Sequence, residues 1–457
     1  MKRILIADSV REVGKEVTLM GWVATRRDHG KVMFIDLRDR SGFIQCVGVN
    51  LKENITTEDV VKIAGLVKER PVKMVNPKIA TGKVEVEIKS LEIVSKAKEL
   101  PIPIDGDGYD VNEESRLKYR YLDLRRDRLT KNIRLRSQFV QKVREFLFSK
   151  DFCEIETPLL TKSTPEGSRD FVVPSRLQQG NFYALPQSPQ QYKQLLMVAG
   201  FERYFQIARC LRDEDLRADR GFEHTQIDLE MSFIEREDVM EILEEMITQV
   251  FESFDVKIKQ KPFPVLTYKE AMEKFASDKF DLRNEEEKKN GVKAFAWVVD
   301  FPFFEKDKEG KWTFTHNPFS KPKDEFIKDL LNKRNIEGIL TTQYDLVCNG
   351  FEVGGGSTRA HRPEILEAVF GILGYEKKEI WEKFGHMLEA FSYGAPPHGG
   401  CAFGVERLIM MLANEQYLRE VVAFPQTSGG RTSVMDAPNQ LSSEQLKELG
   451  IKVIKNR

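Results

Sequence analysis

Closely spaced cysteines are missing from this sequence: Cys46, Cys153, Cys210, Cys348 and Cys401 lie far apart, and no CxxC pair occurs. That argues against a disulfide framework or a zinc site and fits a reducing, cytoplasmic setting. Net charge is nearly absent as well, with 71 Lys and Arg against 72 Asp and Glu. Any nucleic-acid surface must then be a local patch. No hydrophobic run approaches the length of a membrane span. The apolar stretch in MKRILIADSV is too short for a signal peptide. Internal repeats and low-complexity tracts are lacking. Both common phosphate-loop templates fail, because GGGSTR at 354–359 has neither the Lys-Ser/Thr pair of a P-loop nor GxGxxG. Taken alone, its glycines are expected to serve tight packing or a turn.

What is present is a chain of 457 residues, 41% apolar and 31% charged, the balance of a soluble globular protein of about three domains. Residues 1–97 hold short strands such as VTLMGWV, VMFIDLR and FIQCVGV, separated by Gly, Asp and Ser turns, as in an OB-fold barrel. KELPIPIDGDGYDVNEES opens a stretch, 98–130, expected to be a linker or hinge. Over 131–457 the expected class is α+β, an antiparallel sheet flanked by helices. NIRLRSQFVQKVREFLFSKDF spaces Phe139, Val140, Val143, Phe146 and Leu147 as an amphipathic helix, which runs into an edge strand ending at Pro158.

Three segments carry chemistry. Asn349-Gly350 is the preferred two-residue hairpin turn, which sets Cys348 opposite Phe351, Val347 opposite Glu352 and Asp345 opposite Gly354. Asp345 and Glu352 then share a face as diagonal neighbours. Two such carboxylates repel unless a cation lies between them, and Mg²⁺ holding nucleotide phosphates is the natural one; a solvated sheet face is the alternative. In YFQIARCLR and TQIDLEMSF, strict alternation puts Gln206, Ala208, Cys210 and Arg212, and Gln226, Asp228, Glu230 and Ser232, on polar faces. Phe205, Ile207, Leu211, Ile227, Leu229, Met231 and Phe233 face the other way. Two such strands joined by a charged loop could floor a site for a charged ligand. In GAPPHGGCAFGVERLIMML, Arg407 opens an apolar helix, where its charge opposes the helix dipole. A bound phosphate would explain it.

These segments, with SRLKYRYLDLRR, ETPLLTKSTPEGSRDFVVPSR and ALPQSPQQYKQLLMVAGFERYFQIARCLRDEDLRADR, resemble the class II aminoacyl-tRNA synthetases, and within them the bacterial aspartyl-tRNA synthetase family. The resemblance runs almost end to end and includes all three class II motifs. It implies a ligase that activates L-aspartate with ATP and transfers it to the 3′ end of tRNA(Asp). By this likeness Arg212, Glu352 and Arg407 are catalytic. Arg212 bridges the α-phosphate and the substrate carboxylate, and Arg407 meets the γ-phosphate. Asp213, Glu214, Gly221, His224, Gly404, Val405 and Glu406 belong to the ATP site, and Asp345 and Glu352 hold Mg²⁺. Glu166 and Asp228 receive the ammonium of aspartate, Gln190 positions it, Lys193 and Arg359 bind its side-chain carboxylate, and His316 closes over it. His361, His386 and His398 are left surface or packing roles.

The same likeness makes residues 1–97 the anticodon-binding barrel, with Phe34 as a stacking platform and Arg26, Arg27, Gln45 and His29 as polar contacts. The imidazole of His29 can donate or accept, so it could accommodate both cytosine and uracil in the last anticodon base. Charging of tRNA(Asn) as well as tRNA(Asp) follows; a strict enzyme with His29 on an exposed turn is the alternative. A homodimer through the helix at 131–149 is implied, with no membrane partner. Three departures from the family stand out. The usual inserted domain has no room in FDLRNEEEKKNGVKAFAWVVDFPFF, His224 replaces a Phe that stacks on adenine, and Gly221 replaces a Gln. Lysyl or asparaginyl synthetases, a tRNA-independent amide-forming synthetase and a non-catalytic RNA-binding paralogue are the competing possibilities. Lys193 with Arg359 favours an acidic amino acid over the first two.

Overall fold

The computed structural model describes residues 2–164, 166–217 and 220–454, and the chain divides into two compact units, Met1–Pro103 and Ile104–Arg457. The first is a closed barrel of β1 (Glu16–His29), β2 (Val32–Asp39), β3 (Gly42–Val49), β4 (Val60–Glu69) and β5 (Val84–Ser95), in the order β1-β2-β3-β5-β4. Alternation sends Leu19, Ile35, Leu37, Ile44, Ile63 and Val86 into a core with no solvent exposure. Closure brings backbones so close that a Cβ on Gly21 would stand 2.2 Å from the Arg38 carbonyl oxygen.

The second unit begins inside the stretch expected to be a linker. Helical turns at Glu113–Lys118 and Arg120–Asp123 are held there by buried charge. Asp123 accepts from Arg116, Arg120 and Arg126 at 2.7–3.1 Å, and Arg116 and Arg128 both reach Glu420. Arg120 also donates to the carbonyls of Arg419, Val422 and Ala423. Charge pairing therefore fastens a segment whose Pro/Gly/Asp-rich start reads as a spacer.

Among the described residues twelve further strands follow in chain order: β6 (Cys153–Glu154), β7 (Val172–Pro174), β8 (Phe182–Ala184), β9 (Arg203–Leu211), β10 (Glu223–Ser232) and β11 (Val265–Thr267), then β12 (Phe295–Val299), β13 (Phe304–Lys306), β14 (Trp312–Phe314), β15 (Tyr344–Cys348), β16 (Phe351–Thr358) and β17 (His398–Gly404). Eight of them form one sheet in the order β11-β12-β15-β16-β17-β10-β9-β6. Its inner pairs are antiparallel, as expected; the edge pairs β11–β12 and β6–β9 are parallel. One face is apolar and covered by the helices Asp127–Ser149, Arg236–Glu252 and Val405–Ala413. The alternation read in 204–233 places Phe205, Ile227, Leu229 and Met231 on that face. Phe233 does not follow them: it lies beyond β10 with φ 58° and is 68% exposed. Among the described residues no helix is long and apolar enough to cross a membrane.

The hairpin register is right near its turn and wrong further out. Val347 faces Glu352 and Cys348 faces Phe351, but Asp345 faces Gly355, not Gly354, because a bulge intervenes between Leu346 and Val347. One extra residue on β16 shifts the pairing by one. Val353 and Gly354 both turn to the apolar side, where a Cβ on Gly354 would meet the Phe403 ring at 2.2 Å. Gly355 instead lies against Asp345, whose Oδ1 would stand 2.4 Å from an added Cβ. The glycine run is thus a packing requirement on both faces of the sheet.

Candidate active site

The polar face of the sheet floors a cavity of about 370 Å³. Most of the predicted aspartate and nucleotide residues converge on it: Glu166, Gln190, Lys193, Arg212, Glu214, Gly221, His224, Asp228, His316, Asp345, Glu352, Arg359, Gly404, Glu406 and Arg407. Two do not. Val405 is buried in the core beneath the sheet, because its side chain falls on the apolar face of its helix. The Asp213 carboxylate lies 3.5 Å from Arg169, outside the cavity lining.

At one end four charged side chains are buried together. Lys193 Nζ lies 2.7 Å from Asp228 Oδ2 and 3.1 Å from Glu230 Oε2. Arg359 grips Glu230 through Nε at 2.8 Å and Nη2 at 3.1 Å, and donates from Nη1 to Ser357 Oγ. Burial alone would raise the Glu230 pKa, but Arg359 and Lys193 together hold it at about 2. Glu230 was not among the residues predicted to act, although alternation had placed it beside Asp228 on the polar face. Asp228 is different. Burial outweighs Lys193 and raises its pKa, and among the described residues its Oδ1 accepts no hydrogen bond. A buried carboxylate oxygen without a donor is a place for a ligand cation. Glu166, raised by burial, stands near as a second acceptor, held by Gln191, Thr164 and Ser188. The Gln190 amide donates to Gln194 at 3.0 Å.

The middle of the cavity is cationic. Among the described residues the guanidinium of Arg212, just past β9, makes one long 3.4 Å hydrogen bond, to the Gln187 carbonyl, and lines the cavity open to a ligand. Glu214 is held by Arg220 at 2.6 Å and by Ser168; Ala218 and Asp219 of the charged loop lie outside the described residues. Burial, then the neighbouring Arg212, Arg407, Arg209 and Arg220, depress His224 to about 3, so it is a neutral ring. Glu406 is fixed by Arg136 at 2.8 Å and by the Thr225 amide.

At the other end Asp345 accepts from Gln343 at 2.7 Å and lies 2.9 Å from His316 Nε2, so the histidine expected to close over the aspartate side chain is paired instead with a carboxylate of the expected metal pair. Burial raises the Asp345 pKa, and the nearby Glu352 charge raises it further. His316, pushed down by burial but pulled up by Asp345 and Glu352, rests at about 9 and is a cation. Glu352 does not meet Asp345 through a shared protein partner; it pairs with Lys279 at 3.0 Å. Asp278, His316 and Asp345 bring ligand atoms within 4.8 Å of one another. Asp278 and Lys279 were not predicted, since nothing in the loop FASDKFD marks them in isolation.

In the barrel, Phe34 faces Arg27 across β1 and β2, and Asp36 faces Gln45 across β2 and β3. Arg27 bonds to Asp36 at 3.0 Å, Gln45 to Glu85 at 3.0 Å, and Arg26 pairs with Asp28 at 2.9 Å. His29 is exposed and edge-on to Phe34, with ring centroids 5.6 Å apart. The five residues expected to meet an anticodon thus lie on and around one hairpin.

A family model described as tRNA synthetases class II (D, K and N) matches residues 112–428, and one described as OB-fold nucleic acid binding domain matches residues 17–94. An aspartate–tRNA(Asp/Asn) ligase of Caldanaerobacter subterraneus is 42% identical, covering 97% of this chain and 97% of its own. An aspartate–tRNA ligase of Staphylococcus saprophyticus is 38% identical, covering 98% of each. The first alignment extends over 576 positions against a chain of 457 residues, so that relative carries a long segment with no counterpart here. Among solved structures, asparaginyl-tRNA synthetase from Pyrococcus horikoshii with asparaginyl-adenylate superposes with a TM-score of 0.74 at 22% identity, over 93% of this chain and 98% of its own. A putative aspartyl-tRNA synthetase from Leishmania major gives 0.74 at 21%, over 93% and 94%. At such identities the likeness concerns the fold.

The buried charge cluster generates a stability prediction. Glu230→Gln leaves Lys193 and Arg359 sharing one carboxylate, and should cost about 3–5 kcal/mol near neutrality. The folded pKa of Glu230 is depressed from 4.5 to about 2, so its contribution is complete above pH 4.5 and is lost as pH falls toward 2. Urea unfolding of both proteins should therefore show a gap that narrows between pH 4.5 and 3. A gap independent of pH would contradict this.

Proposed function

The chain belongs to the class II aminoacyl-tRNA synthetases of the D, K and N group, and from that premise we propose that it is an aspartate–tRNA ligase with ATP as co-substrate. One observation carries the choice of amino acid: Lys193 and Arg359 present two buried cations beside an Asp228 oxygen that, among the described residues, accepts no hydrogen bond. An aspartate laid there gives its ammonium to Asp228 and Glu166 and its side-chain carboxylate to the two cations. Asparagine would offer them only a neutral amide, and lysine a repelling charge.

The geometry supports a mechanism without a general base. The α-carboxylate of aspartate attacks the α-phosphorus of ATP, its new O–P bond forming as the bond to the pyrophosphate oxygen breaks. Arg212, on the cavity wall, would hold both the attacking carboxylate and the α-phosphate, so its work is alignment and charge stabilisation. His224, neutral and beside the cavity, supplies a flat ring for adenine. Arg407 donates to the Glu352 carbonyl at 2.8 Å from the start of its helix, and in this reading it would meet the terminal phosphate. The carboxylates of Asp345 and Glu352, with Asp278 near the first, are hard oxygen donors suited to Mg²⁺. When bound, Mg²⁺ neutralises phosphate charge. A tRNA 3′-terminal hydroxyl then attacks the aspartyl carbonyl and AMP leaves.

Aspartate should support ATP–pyrophosphate exchange without tRNA, and asparagine and lysine should not; faster exchange with either would overturn the proposal. Arg359→Leu should lose about 2–5 kcal/mol of aspartate recognition, read as a rise in KM for aspartate, because it strips one partner from a buried charge pair.

We also propose a homodimer through the helix Asp127–Ser149 and the adjoining edge, where Phe148, Leu159 and Leu160 are each about half exposed. Sedimentation at twice 52.8 kDa is expected, and an active monomer would refute it.

For tRNA choice, we propose that both tRNA(Asp) and tRNA(Asn) are charged. The two anticodons differ in their last base, and an exposed imidazole that can donate or accept tolerates either. The Caldanaerobacter relative is an aspartate–tRNA(Asp/Asn) ligase by name, which points the same way. Charging rates on the two purified tRNAs should be comparable, and His29→Leu should separate them while leaving pyrophosphate exchange unchanged. A strong preference of the unmodified enzyme for tRNA(Asp) would contradict the proposal.

A further inference from the structure

The loop from Ala276 to Arg283 is fastened to the β15–β16 hairpin by aromatic and backbone contacts. Ala276 ends the helix Tyr268–Phe275 in the left-handed region, at φ 51°. Phe275 and Phe280 stack with centroids 4.4 Å apart, and Phe280 is buried in a cluster with Val347 and Phe301. The Gly350 amide in the hairpin turn donates to the Phe280 carbonyl at 3.0 Å. Between these anchors the chain delivers Asp278 toward Asp345 and Lys279 onto Glu352.

Lys279 therefore occupies the carboxylate that the proposed function assigns to a divalent cation. The contact is poorly suited to permanence. The lysine side chain is 47% exposed, and so open an ion pair contributes little to stability. Its ammonium rides a flexible four-carbon stem and can change partner without moving the loop. Its position also selects the new partner. Glu352 and Arg359 are seven positions apart along one strand, which separates their backbones by roughly 20 Å. With Arg359 at the amino-acid end and Arg212 at the α-phosphate, the Glu352 end is left to the β- and γ-phosphates. Arg407 already touches Glu352 there, through its carbonyl.

We propose that Lys279 is a pyrophosphate-binding residue of the adenylation step. In the nucleotide-free protein it neutralises Glu352; when that carboxylate is given over to a metal–nucleotide complex, Nζ turns to a non-bridging oxygen of the β- or γ-phosphate. As the bond between the α-phosphorus and the bridging oxygen breaks, the electron pair leaves on pyrophosphate. Lys279 offsets that charge without giving up a proton. The inference rests on the aspartate-activation proposal.

Lys279→Met and Lys279→Arg test it. In exchange assays Lys279→Met should raise KM for pyrophosphate on the order of 10–100-fold, the worth of a hydrogen bond between charged groups. KM for aspartate should be unchanged, and Lys279→Arg should recover most of the loss. Without nucleotide, Lys279→Met should bind Mn²⁺ several-fold tighter by electron paramagnetic resonance, since a competing cation is gone. An unchanged KM for pyrophosphate overturns the proposal, even with tighter Mn²⁺ binding, because the lysine then only neutralises Glu352. If the unmodified protein fails to exchange with aspartate, the activation proposal fails instead. Calorimetric binding of inorganic pyrophosphate with Mg²⁺, unmodified protein against Lys279→Met, still decides the lysine: weaker binding supports it and equal binding overturns it.

Discussion

Four charges buried beside one another set the terms for the rest of the structure: Lys193, Asp228, Glu230 and Arg359. Each ion taken out of water costs several kcal/mol unless its neighbours compensate it. None is more than 3% exposed, so the compensation comes from one another and from polar atoms packed against them rather than from water. The four come from three places in the chain: the helix Gln190–Val198, β10, and the residue after β16. Pairing them fixes those elements relative to one another. β17 lies between β16 and β10, and it must let Arg359 reach across. Gly400 does so: a Cβ there would stand 2.3 Å from Glu230 Oε2, and its carbonyl accepts from Arg359 at 3.2 Å. The glycine pair in HGGCAFG follows from the charge cluster it borders.

A second constraint acts at the far end of β16. The bulge turns Gly355 toward Asp345 and keeps Glu352 on the cavity face, so one strand presents an acidic end and, past its last residue, a cationic one. Under the proposed function this polarity orders the substrates along the strand: amino acid at Arg359, α-phosphate at Arg212, pyrophosphate near Glu352. His316 and Lys279 serve the acidic end as counter-charges, keeping repelling carboxylates in place.

Much of this was legible in the sequence because alternation in a strand is a strong signal. Period-two patterning in 204–232 placed Arg212, Asp228 and Glu230 on one face, and the structure puts them there. The barrel was legible for the same reason, and so was the turn at Asn349-Gly350. What escaped was whatever depends on the third dimension. Strict alternation cannot register a bulge, so Asp345 was paired one residue short. A Pro/Gly/Asp-rich opening hid the buried arginine network around Asp123, since nothing local tells a solvated arginine from a buried one. Val405 was carried into the nucleotide site with its neighbours although its side chain belongs to the core. Lys279 and Asp278 carry no pattern at all; they matter only because a loop stapled by two phenylalanines brings them to the hairpin. Alternation marks Glu230 as polar-facing but not as a site residue, because its partners Lys193 and Arg359 are distant in sequence.

The central claim is that the buried cluster is built, before nucleotide or tRNA arrives, to receive a second carboxylate on the amino-acid side chain. Titration calorimetry with the protein alone tests it, using L-aspartate, L-asparagine and succinate, which keeps two carboxylates but has no ammonium. Aspartate should bind measurably, and asparagine and succinate much more weakly, one lacking the charge for Lys193 and Arg359 and the other the ammonium for Asp228. Equal affinity for aspartate and asparagine would contradict the account.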